Sequence, residues 1–368
     1  MRTLRINLDA IVHNLDVMRA RANGAKVMGV VKANAYGHGA IPVAETLERA
    51  GVDYLGVADV REALELRAAG IRTPILAWLH DPDDNFEAAL IGKIDLGVAN
   101  LGQLQRIAKA AAVTSEIPNL HLKIDTGLGR NGSTEADWIS LLEAVKALGE
   151  SVCVVGIFSH LSTTSQVEDL AQIKKFDSAV AEVKKAGLTY QFRHLTASDG
   201  SLSYPEAHYE MVRVGVALYG LDPFSTNRSA EFGLIPAMTA VSRVVQVKTV
   251  PAGHGVSYNF LHRTTEETTL ALVPVGYAEG LPRAATGKAE VSIAGRRYPI
   301  KSQIAMDQFV LDVGSDPVQL GDEVVIFGDA SLGVPSADDL AAAAGTINYE
   351  IVTRMGGRFL REYVGEGL

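Results

Sequence analysis

Cysteine is almost missing from this sequence, which excludes a framework of disulfide bonds. The one cysteine among 368 residues, Cys153, lies in the apolar run of residues 152–155, and we interpret it as a small buried hydrophobe. The nine histidines form neither an H-E-x-x-H pattern nor a partnership with paired cysteines. The sequence therefore predicts no metal site.

Long apolar stretches and basic clusters are missing as well. No apolar run approaches the roughly 20 residues that span a bilayer, and the N-terminal segment lacks the apolar core of an export signal. Acidic residues outnumber basic ones by 43 to 34, for a net charge of -9, so binding to nucleic acid or to an anionic membrane is not expected. Hydrophobic residues make up 47% of the chain, enough for a large core. We expect a cytoplasmic protein.

The first two thirds of the chain alternate short apolar runs with amphipathic stretches. Such apolar runs are typical of parallel strands covered by helices. The candidate strands are residues 26–32, 54–58, 74–79, 95–99, 121–125, 152–160, 192–197 and 211–219, and the clearest helical patterns are 60–70, 101–112, 137–148 and 167–187. Eight strands alternating with helices predict an α/β fold, a (βα)8 TIM barrel, although an open doubly wound sheet would show a similar alternation.

The pattern changes after Phe232. Strand candidates at 237–250, 268–275, 289–293 and 324–327 follow one another without helices between them, and several are separated by turns that contain glycine. A helix then opens at a capping pattern that begins with Ser336 and closes at Gly345. We therefore predict a barrel over residues 1–230 and a mostly antiparallel β domain over residues 231–368.

Lys32 closes the first predicted strand of the barrel. The working groups of barrel enzymes lie at the carboxyl ends of strands, so this end is a candidate for chemistry. A buried lysine has a lowered pKa, which favours covalent bond formation between its neutral amine and a carbonyl group. Taken alone, the lysine is better interpreted as a rim residue that reaches water along its own stem.

Seven strings of residues change this balance. Residues 31–39, VKANAYGHG, resemble the cofactor-lysine signature of the alanine racemases. The other six follow in the family's order: HLKIDTGLGR (121–130), MVRVGVALYG (211–220), VSY (256–258), VPVGYAEG (273–280), IAMDQ (304–308) and GTINYE (345–350). The resemblance covers essentially the whole chain.

This resemblance implies a homodimeric isomerase that uses pyridoxal 5'-phosphate to interconvert L- and D-alanine, and so supplies D-alanine for peptidoglycan. Lys32 would hold the cofactor covalently and carry protons on one face of the substrate, and the partner subunit's Tyr258 would serve the opposite face. A phenol titrates near about 10, so it needs help to act as a base at neutral pH. The resemblance assigns that help to His160 and Arg213, and places Arg213 against the pyridine nitrogen of the cofactor.

Further roles are implied by the same resemblance. Tyr36, Ser198 and Gly215 match positions that bind the cofactor's phosphate, and Arg130 and Met306 match contacts to the substrate carboxylate. The supporting positions are Lys123, which is carbamylated in some members, Tyr277, which narrows the entrance, and Asp307. Three departures from the family pattern are Ala305 for cysteine, Ala197 for asparagine and Gly357 for a phosphate-binding tyrosine.

Several alternatives stay open at this point. His160 could be a core histidine bonded to backbone, and Arg213 could pair with a buried carboxylate. Residues 127–132 satisfy G-x-G-x-x-G, but a dinucleotide site normally follows the first strand of its domain. At the level of function, the rivals are a broader racemase of serine or basic amino acids, a decarboxylase, and a non-catalytic cofactor-handling barrel.

Overall fold

The computed structural model describes residues 2–367, which form two compact units. Residues 15–35 and 40–218 make up the barrel unit, and residues 2–14, 36–39 and 219–367 make up the second unit. The chain begins with strand β1 (Thr3–Asn7) and helix α1 (Leu8–Arg21).

Eight parallel strands form the barrel. They are β2 (Lys26–Val30), β3 (Tyr54–Val57), β4 (Ile75–Ala77), β5 (Ile94–Val98), β6 (Asn119–Lys123), β7 (Cys153–Phe158), β8 (Phe192–His194) and β9 (Met211–Val214). Neighbours follow chain order from β2 to β8, and β9 returns to pair with β2. The amide of Arg213 also donates to Thr196 O at 3.0 Å. The sheet is therefore a nearly closed barrel.

Helices cover the outside of the barrel strands. They are α2 (Ala40–Arg49), α3 (Val60–Ala68), α4 (Phe86–Ile91), α5 (Leu101–Thr114), α6 (Glu135–Leu148), α7 (Gln166–Lys185) and the short α8 (Ser198–Ser203). Five of them begin at a residue whose side chain accepts an N–H of the first turn: Asp59, Asn85, Asn100, Thr134 and Ser165. Such caps fix where each helix starts.

The second unit is built mainly from antiparallel strands. Its strands are β10 (Met238–Arg243), β11 (Gln246–Val250), β12 (Gly255–Val256), β13 (His262–Arg263), β14 (Thr268–Val273), β15 (Glu290–Ile293), β16 (Arg296–Pro299), β17 (Phe309–Gly314), β18 (Glu323–Phe327) and β19 (Leu360–Val364). Six strands form one sheet in the order β16-β15-β18-β10-β1-β19, and β11-β14-β17 form another. Helices α9 (Ala337–Ala344) and α10 (Asn348–Arg354) precede the last strand.

Short 3-10 turns connect many of these elements. They span Gly149–Ser151, Pro205–Ala207, Val216–Tyr219, Ser229–Phe232, Tyr258–Phe260, Tyr277–Glu279, Arg283–Ala285 and Ala330–Leu332. Within residues 2–367, no helix is long and apolar enough to cross a membrane.

The structure confirms the predicted fold class and all eight barrel strands. It differs from the sequence in the placement of the N-terminus. We assigned residues 1–230 to the barrel domain, whereas β1 pairs antiparallel with β10 and parallel with β19 in the second unit. It also divides the predicted strand 237–250 into β10 and β11, which belong to different sheets. The predicted helix after Ser336 is present. Ser336 and Asp339 form a capping box at its start, and Gly345, in the left-handed backbone conformation, ends it.

Candidate active site

Seven of the predicted site residues lie in the barrel unit, at the carboxyl ends of its strands or in the loops that follow them. They are Lys32, Lys123, Arg130, His160, Ser198, Arg213 and Gly215. Because parallel strands end at the same rim of a barrel, these residues come together at its mouth.

Lys32 begins an unusual turn of the backbone. The four residues that follow it, Ala33 to Tyr36, have φ angles between 52° and 54° and so form one left-handed helical turn. For residues other than glycine this conformation costs about 1–2 kcal/mol each. The side chain of Asn34 accepts the amide of Ala40 at 2.8 Å, which ties the turn to the start of α2. Strain of this kind persists only where the surroundings hold it.

Glu62 supplies much of that hold. Its carboxylate accepts the amide of Ala33 at 2.6 Å with one oxygen and the amide of Ala58 at 2.8 Å with the other. These are charge-assisted bonds to backbone donors, which are stronger than neutral ones. Glu62 therefore fixes the backbone next to Lys32 to the loop after β3.

The environment of the Lys32 amine favours its neutral form. The side chain is partly buried, and burial lowers its pKa, with Arg130 and Arg213 adding repulsion and Glu62 opposing the shift. A neutral amine has a lone pair available for attack on a carbonyl carbon. This chemistry distinguishes Lys32 from a solvated rim lysine.

Arg213 is held by a full set of acceptors in the barrel interior, where it is 5% exposed. Its Nη1 donates to Nδ1 and O of His194 at 3.1 and 2.7 Å. Its Nη2 donates to Ser159 O at 2.8 Å, Leu195 O at 2.9 Å and His160 Nδ1 at 3.1 Å. Burial lowers its pKa to about 10, so it stays a cation at neutral pH. Within residues 2–367, no side chain or carbonyl accepts from its Nε, and no carboxylate bonds to it.

His160 takes its role from this arginine. A guanidinium has only donors, so His160 Nδ1 must accept the bond, which leaves the proton of the neutral ring on Nε2. Burial, followed by the charges of Arg213 and Arg130, lowers the pKa of His160 well below its usual value. The partner of this histidine is therefore a side chain of the site rather than the backbone alone.

Lys123 is a second lysine with an altered amine. It is 7% exposed, and its Nζ lies 5.2 Å from the ring centre of Phe158. Burial, together with Arg213 and Arg130, lowers its pKa to about 7, with Asp125 acting in the opposite direction. A large fraction of this amine is therefore neutral near physiological pH.

The glycine-rich loop after β6 shapes the segment that carries Arg130. The amides of Gly127 and Gly129 donate to Asp125 Oδ1 at 2.9 and 3.1 Å. A Cβ on Gly132 would lie 2.5 Å from the amide nitrogen of Asp125, so only glycine fits there. These amides serve the turn itself, which argues against the dinucleotide interpretation of this motif.

Ser198 and Gly215 bring β8 and β9 together. The amides of Gly215 and Ala217 lie 3.0 and 3.4 Å from Ser198 Oγ, which is buried. Ser198 opens α8, and the residue before it, Ala197, provides no side-chain cap. Because Ser198 Oγ accepts these two amides, its own proton remains available for donation at this end of the barrel mouth.

The other predicted site residues lie in the second unit: Tyr36, Tyr258, Tyr277, Met306 and Asp307. The ring of Tyr36 packs against the rings of Tyr219 and Tyr349, with centroids 4.8 and 6.2 Å away.

Tyr258 lies on an exposed turn. It is 68% exposed, and residues on both sides of it, Ser257, Asn259 and Phe260, have positive φ angles. Ser257 Oγ donates to Gln303 O at 3.3 Å. The backbone is thus bent into a conformation that leaves the phenol in solvent.

Tyr277 and Met306 lie on two segments that are bonded to each other. The amide of Tyr277 donates to Ala305 O at 3.1 Å, and that of Ala278 to Met306 O at 2.9 Å. Arg358 then bonds to Asp307 at 2.7 Å. These contacts hold the proposed entrance and substrate-contacting segments as one assembly.

Comparison with known proteins identifies the family. The family models of the alanine racemase N-terminal and C-terminal domains match residues 6–223 and 237–363. The alanine racemase of Frankia casuarinae is 48% identical over 365 residues, covering 98% of this chain and 95% of that protein. A crystal structure of alanine racemase from the D-cycloserine producer Streptomyces lavendulae is 44% identical, with a TM-score of 0.96, over 99% of this chain and 97% of that one. The chain belongs to the alanine racemase family.

Membership in the alanine racemase family settles the class of reaction. The chain is an isomerase that interconverts L- and D-alanine, which is favoured over the broader racemase. The match to the C-terminal domain of alanine racemases also argues against a cofactor-handling barrel without that domain.

Gly357 is the departure from the alanine racemase pattern that the structure explains best. Its φ angle is 60°, and a Cβ there would lie 2.5 Å from the carbonyl oxygen of Ala278. A tyrosine at this position would therefore require the backbone to move. The segment is built for glycine.

Sequence reasoning missed three groups at the site. Glu62 follows Asp59 in a D-x-x-E spacing, which predicts a capping box, and Asp59 does accept the amide of Glu62 at 2.9 Å. The carboxylate of Glu62 has a second use that only the contact to Ala33 reveals. His194 is the last residue of β8 and Ser159 directly follows β7, and both lie within predicted strands, so a polar residue in such a run was the available signal for them.

Proposed function

We propose that this isomerase works with pyridoxal 5'-phosphate bound at the barrel mouth, with Lys32 as its covalent anchor and as one of two bases. The observation that carries this proposal is a partly buried lysine amine, whose pKa is lowered by burial, at the same barrel mouth as a buried guanidinium that can only donate. Ser198 Oγ accepts the amide of Gly215, so its own proton remains available, and this hydroxyl together with nearby cations fits a phosphate group. When bound, the cofactor delocalises the electron pair that remains after the α-proton of alanine is removed.

Arg213 is suited to face the ring nitrogen of that cofactor. Its Nη atoms are committed to backbone and histidine acceptors, so the Nε proton is the one left for a ligand. An arginine donates but does not accept protons, and it therefore leaves a facing nitrogen unprotonated. A weaker electron sink favours return of the proton to the α-carbon, which is what racemisation requires.

The second base is Tyr258, supplied by the partner subunit of a homodimer. Tyr258, Phe260, Leu261 and Met306 of the second unit are 54–68% exposed, and we infer that they belong to one apolar surface. Large exposed apolar patches mark interaction surfaces. In the dimer, the Nε2 proton of His160 would donate to the partner subunit's Tyr258, which stabilises its phenolate.

Substrate selection would rest on a cation and a narrow entrance. Arg130, together with the amide of Met306 of the partner subunit, would bind the carboxylate of alanine. The partner subunit's Tyr277 would exclude larger side chains. A comparison of kcat/KM for alanine, serine and lysine tests this assignment, and similar values for the three would favour the broader racemase.

Single variants of the two proposed bases test the arrangement first. Lys32→Ala should lose both racemisation and the visible absorbance of the bound cofactor. Tyr258→Phe should keep the absorbance and lose α-proton exchange in D₂O from one enantiomer only. The exposed Lys109 on α5 provides a matched control, since Lys109→Ala should change neither property.

Mixed dimers of the two variants separate sharing between subunits from action within one chain. If the sites are shared, a heterodimer contains one barrel with Lys32 that faces an intact Tyr258. Random mixing in equal amounts should therefore restore about one quarter of wild-type activity, because half of the dimers are mixed and each has one intact site of two. No recovery would mean that Tyr258 does not act across the interface.

A further inference from the structure

A line of polar side chains runs through the interior of the barrel from Arg213 to Asp95. Arg213 Nη1 lies 3.1 Å from His194 Nδ1, His194 Nε2 lies 2.8 Å from His121 Nδ1, and His121 Nε2 lies 3.4 Å from Asp95 Oδ2. All four side chains are buried. Barrel interiors are ordinarily filled by layers of branched apolar side chains, and buried polar groups are costly unless they are bonded.

The two ends of this line force one direction on every bond. Arg213 has only donors, so His194 Nδ1 accepts and His194 carries its proton on Nε2. That proton is donated to His121 Nδ1, so His121 also carries its proton on Nε2 and donates it to the carboxylate of Asp95. A reversed arrangement would set N–H against N–H at Arg213.

The far end of the line is fixed as firmly as the near end. Asp95 also accepts from Tyr54 Oη at 2.6 Å and from Asn119 Nδ2 at 2.9 Å. Room for the imidazole of His121 comes from Gly156 on β7, because a Cβ there would lie 2.1 Å from His121 Nδ1. The barrel is therefore built around these rings.

We propose that His194, His121 and Asp95 form a relay of positioning residues that holds the guanidinium of Arg213 in one orientation at the cofactor end of the barrel. The inference rests on the proposed function, in which Arg213 Nε faces the ring nitrogen. Nη1 of Arg213 donates both to the ring nitrogen Nδ1 and to the carbonyl oxygen of His194. If His194 carried its proton on Nδ1, the first of these bonds would be lost, and the guanidinium would rotate and displace Nε. All three relay residues are buried behind Arg213, so the proposal gives none of them a contact to the substrate or the cofactor.

Nitrogen NMR of the cofactor-loaded protein tests the relay directly. With ¹⁵N-labelled histidine, both His194 and His121 should show a protonated Nε2 and an unprotonated Nδ1. In Asp95→Asn, the amide can donate or accept at His121, so Arg213 alone still selects the tautomer. In molecules whose guanidinium has turned away from His194 Nδ1 the reversed tautomer should appear, and the spectrum should show a mixture. A wild-type spectrum with a protonated Nδ1 on either ring would overturn the proposal.

Kinetics provide a second reading of the same variant. Asp95→Asn should lower kcat about tenfold and leave KM for alanine within about twofold, since the relay ends at Arg213 and not at the carboxylate-binding Arg130. Asp84→Asn is the matched control, because Asp84 lies 3.7 Å from His80 in a separate pair. Equal kcat values for the two variants would refute a positioning role.

Gly156→Ala guards against misreading a folding defect. It displaces the ring of His121 without altering any charge, so it should reproduce the kinetic change and the mixed tautomers of Asp95→Asn. If Gly156→Ala folds but shows neither the kinetic change nor the mixed tautomers, the relay is overturned. If the wild-type protein fails to racemise alanine, the proposed function fails; if it racemises and Asp95→Asn matches it, the relay alone fails.

Discussion

Removal of the Glu62 carboxylate tests how the barrel keeps Lys32 in place. Two charge-assisted bonds join Glu62 to the amides of Ala33 and Ala58. At about 1.5–3 kcal/mol for each bond to a charged group, the pair contributes at least about 3 kcal/mol. The four left-handed residues after Lys32 cost about 4–8 kcal/mol, so the loss is large relative to the strain that it offsets.

Glu62→Ala should therefore weaken cofactor binding and lower the free energy of unfolding. A loss of about 3 kcal/mol corresponds to an increase in Kd for pyridoxal phosphate of roughly 100-fold. Titration of the visible absorbance measures the first effect and urea denaturation the second. Glu65→Ala is the control, since Glu65 is an exposed residue of the same helix.

The direction of the effect separates position from charge. Glu62 raises the pKa of Lys32, so Glu62→Gln leaves an amine that is neutral at lower pH. If Glu62 acted through its charge alone, covalent attachment would become faster below neutral pH. If it acts by holding the backbone, attachment becomes slower at every pH, because a glutamine amide presents only one acceptor to two N–H donors. Attachment at the wild-type rate in both variants would refute the reasoning.

Two further predictions concern the loop after β6. Because the pKa of Lys123 is about 7, its amine is mostly neutral above that pH and mostly protonated below it. We therefore expect carbon dioxide to form a carbamate on this amine above pH 7. With labelled bicarbonate the carbamate should give a ¹³C resonance that disappears on acidification and is missing from Lys123→Met. A resonance that persists at pH 5 would contradict this. Gly132→Ala should raise KM for alanine several-fold, a loss of about 1 kcal/mol in binding free energy, with a smaller change in kcat. The reason is that the new Cβ lies 2.5 Å from the Asp125 amide and displaces the turn before Arg130. An unchanged KM would show that this turn does not position the arginine.

The barrel was predictable because parallel strands buried on both faces appear as apolar runs. The same property made some predicted strands too long. Apart from Arg213 and Gly215, residues 211–219 are apolar or aromatic, but β9 ends at Val214, and Val216–Tyr219 form a buried 3-10 turn. Burial alone does not distinguish a strand from a turn that packs beneath the mouth of a barrel.

The placement of β1 was not predictable from local pattern. Its partners, β10 and β19, lie more than two hundred residues away, and residues 3–7 carry no signal that selects them. The break between β10 and β11 also lacks glycine or proline, since Val244 and Val245 continue the apolar run. Both features depend on pairing with distant strands.

The barrel part of the site was predictable from residue types at strand ends together with the family motifs. The residues that support the site were not predictable, because Glu62, His121 and Asp95 act through contacts between elements that are far apart in sequence. His121 even lies within a recognised string, HLKIDTGLGR, but its ring faces the barrel core rather than the loop that carries Arg130.

The electrostatics of the mouth explain why these parts belong together. The chain has a net charge of -9, yet four cations gather at the mouth: burial lowers the pKa of Lys32 and of Lys123, the charges of Arg130 and Arg213 lower both further, and Arg130 also lowers the pKa of Arg213. A dianionic phosphate and a substrate carboxylate would reduce this repulsion at every member of the group simultaneously. Burial, followed by this repulsion, also keeps His160 neutral, so that its Nε2 remains a donor without carrying a fifth positive charge. A site of this composition favours a ligand with two separate anionic groups, as the proposed pairing of cofactor and amino acid provides.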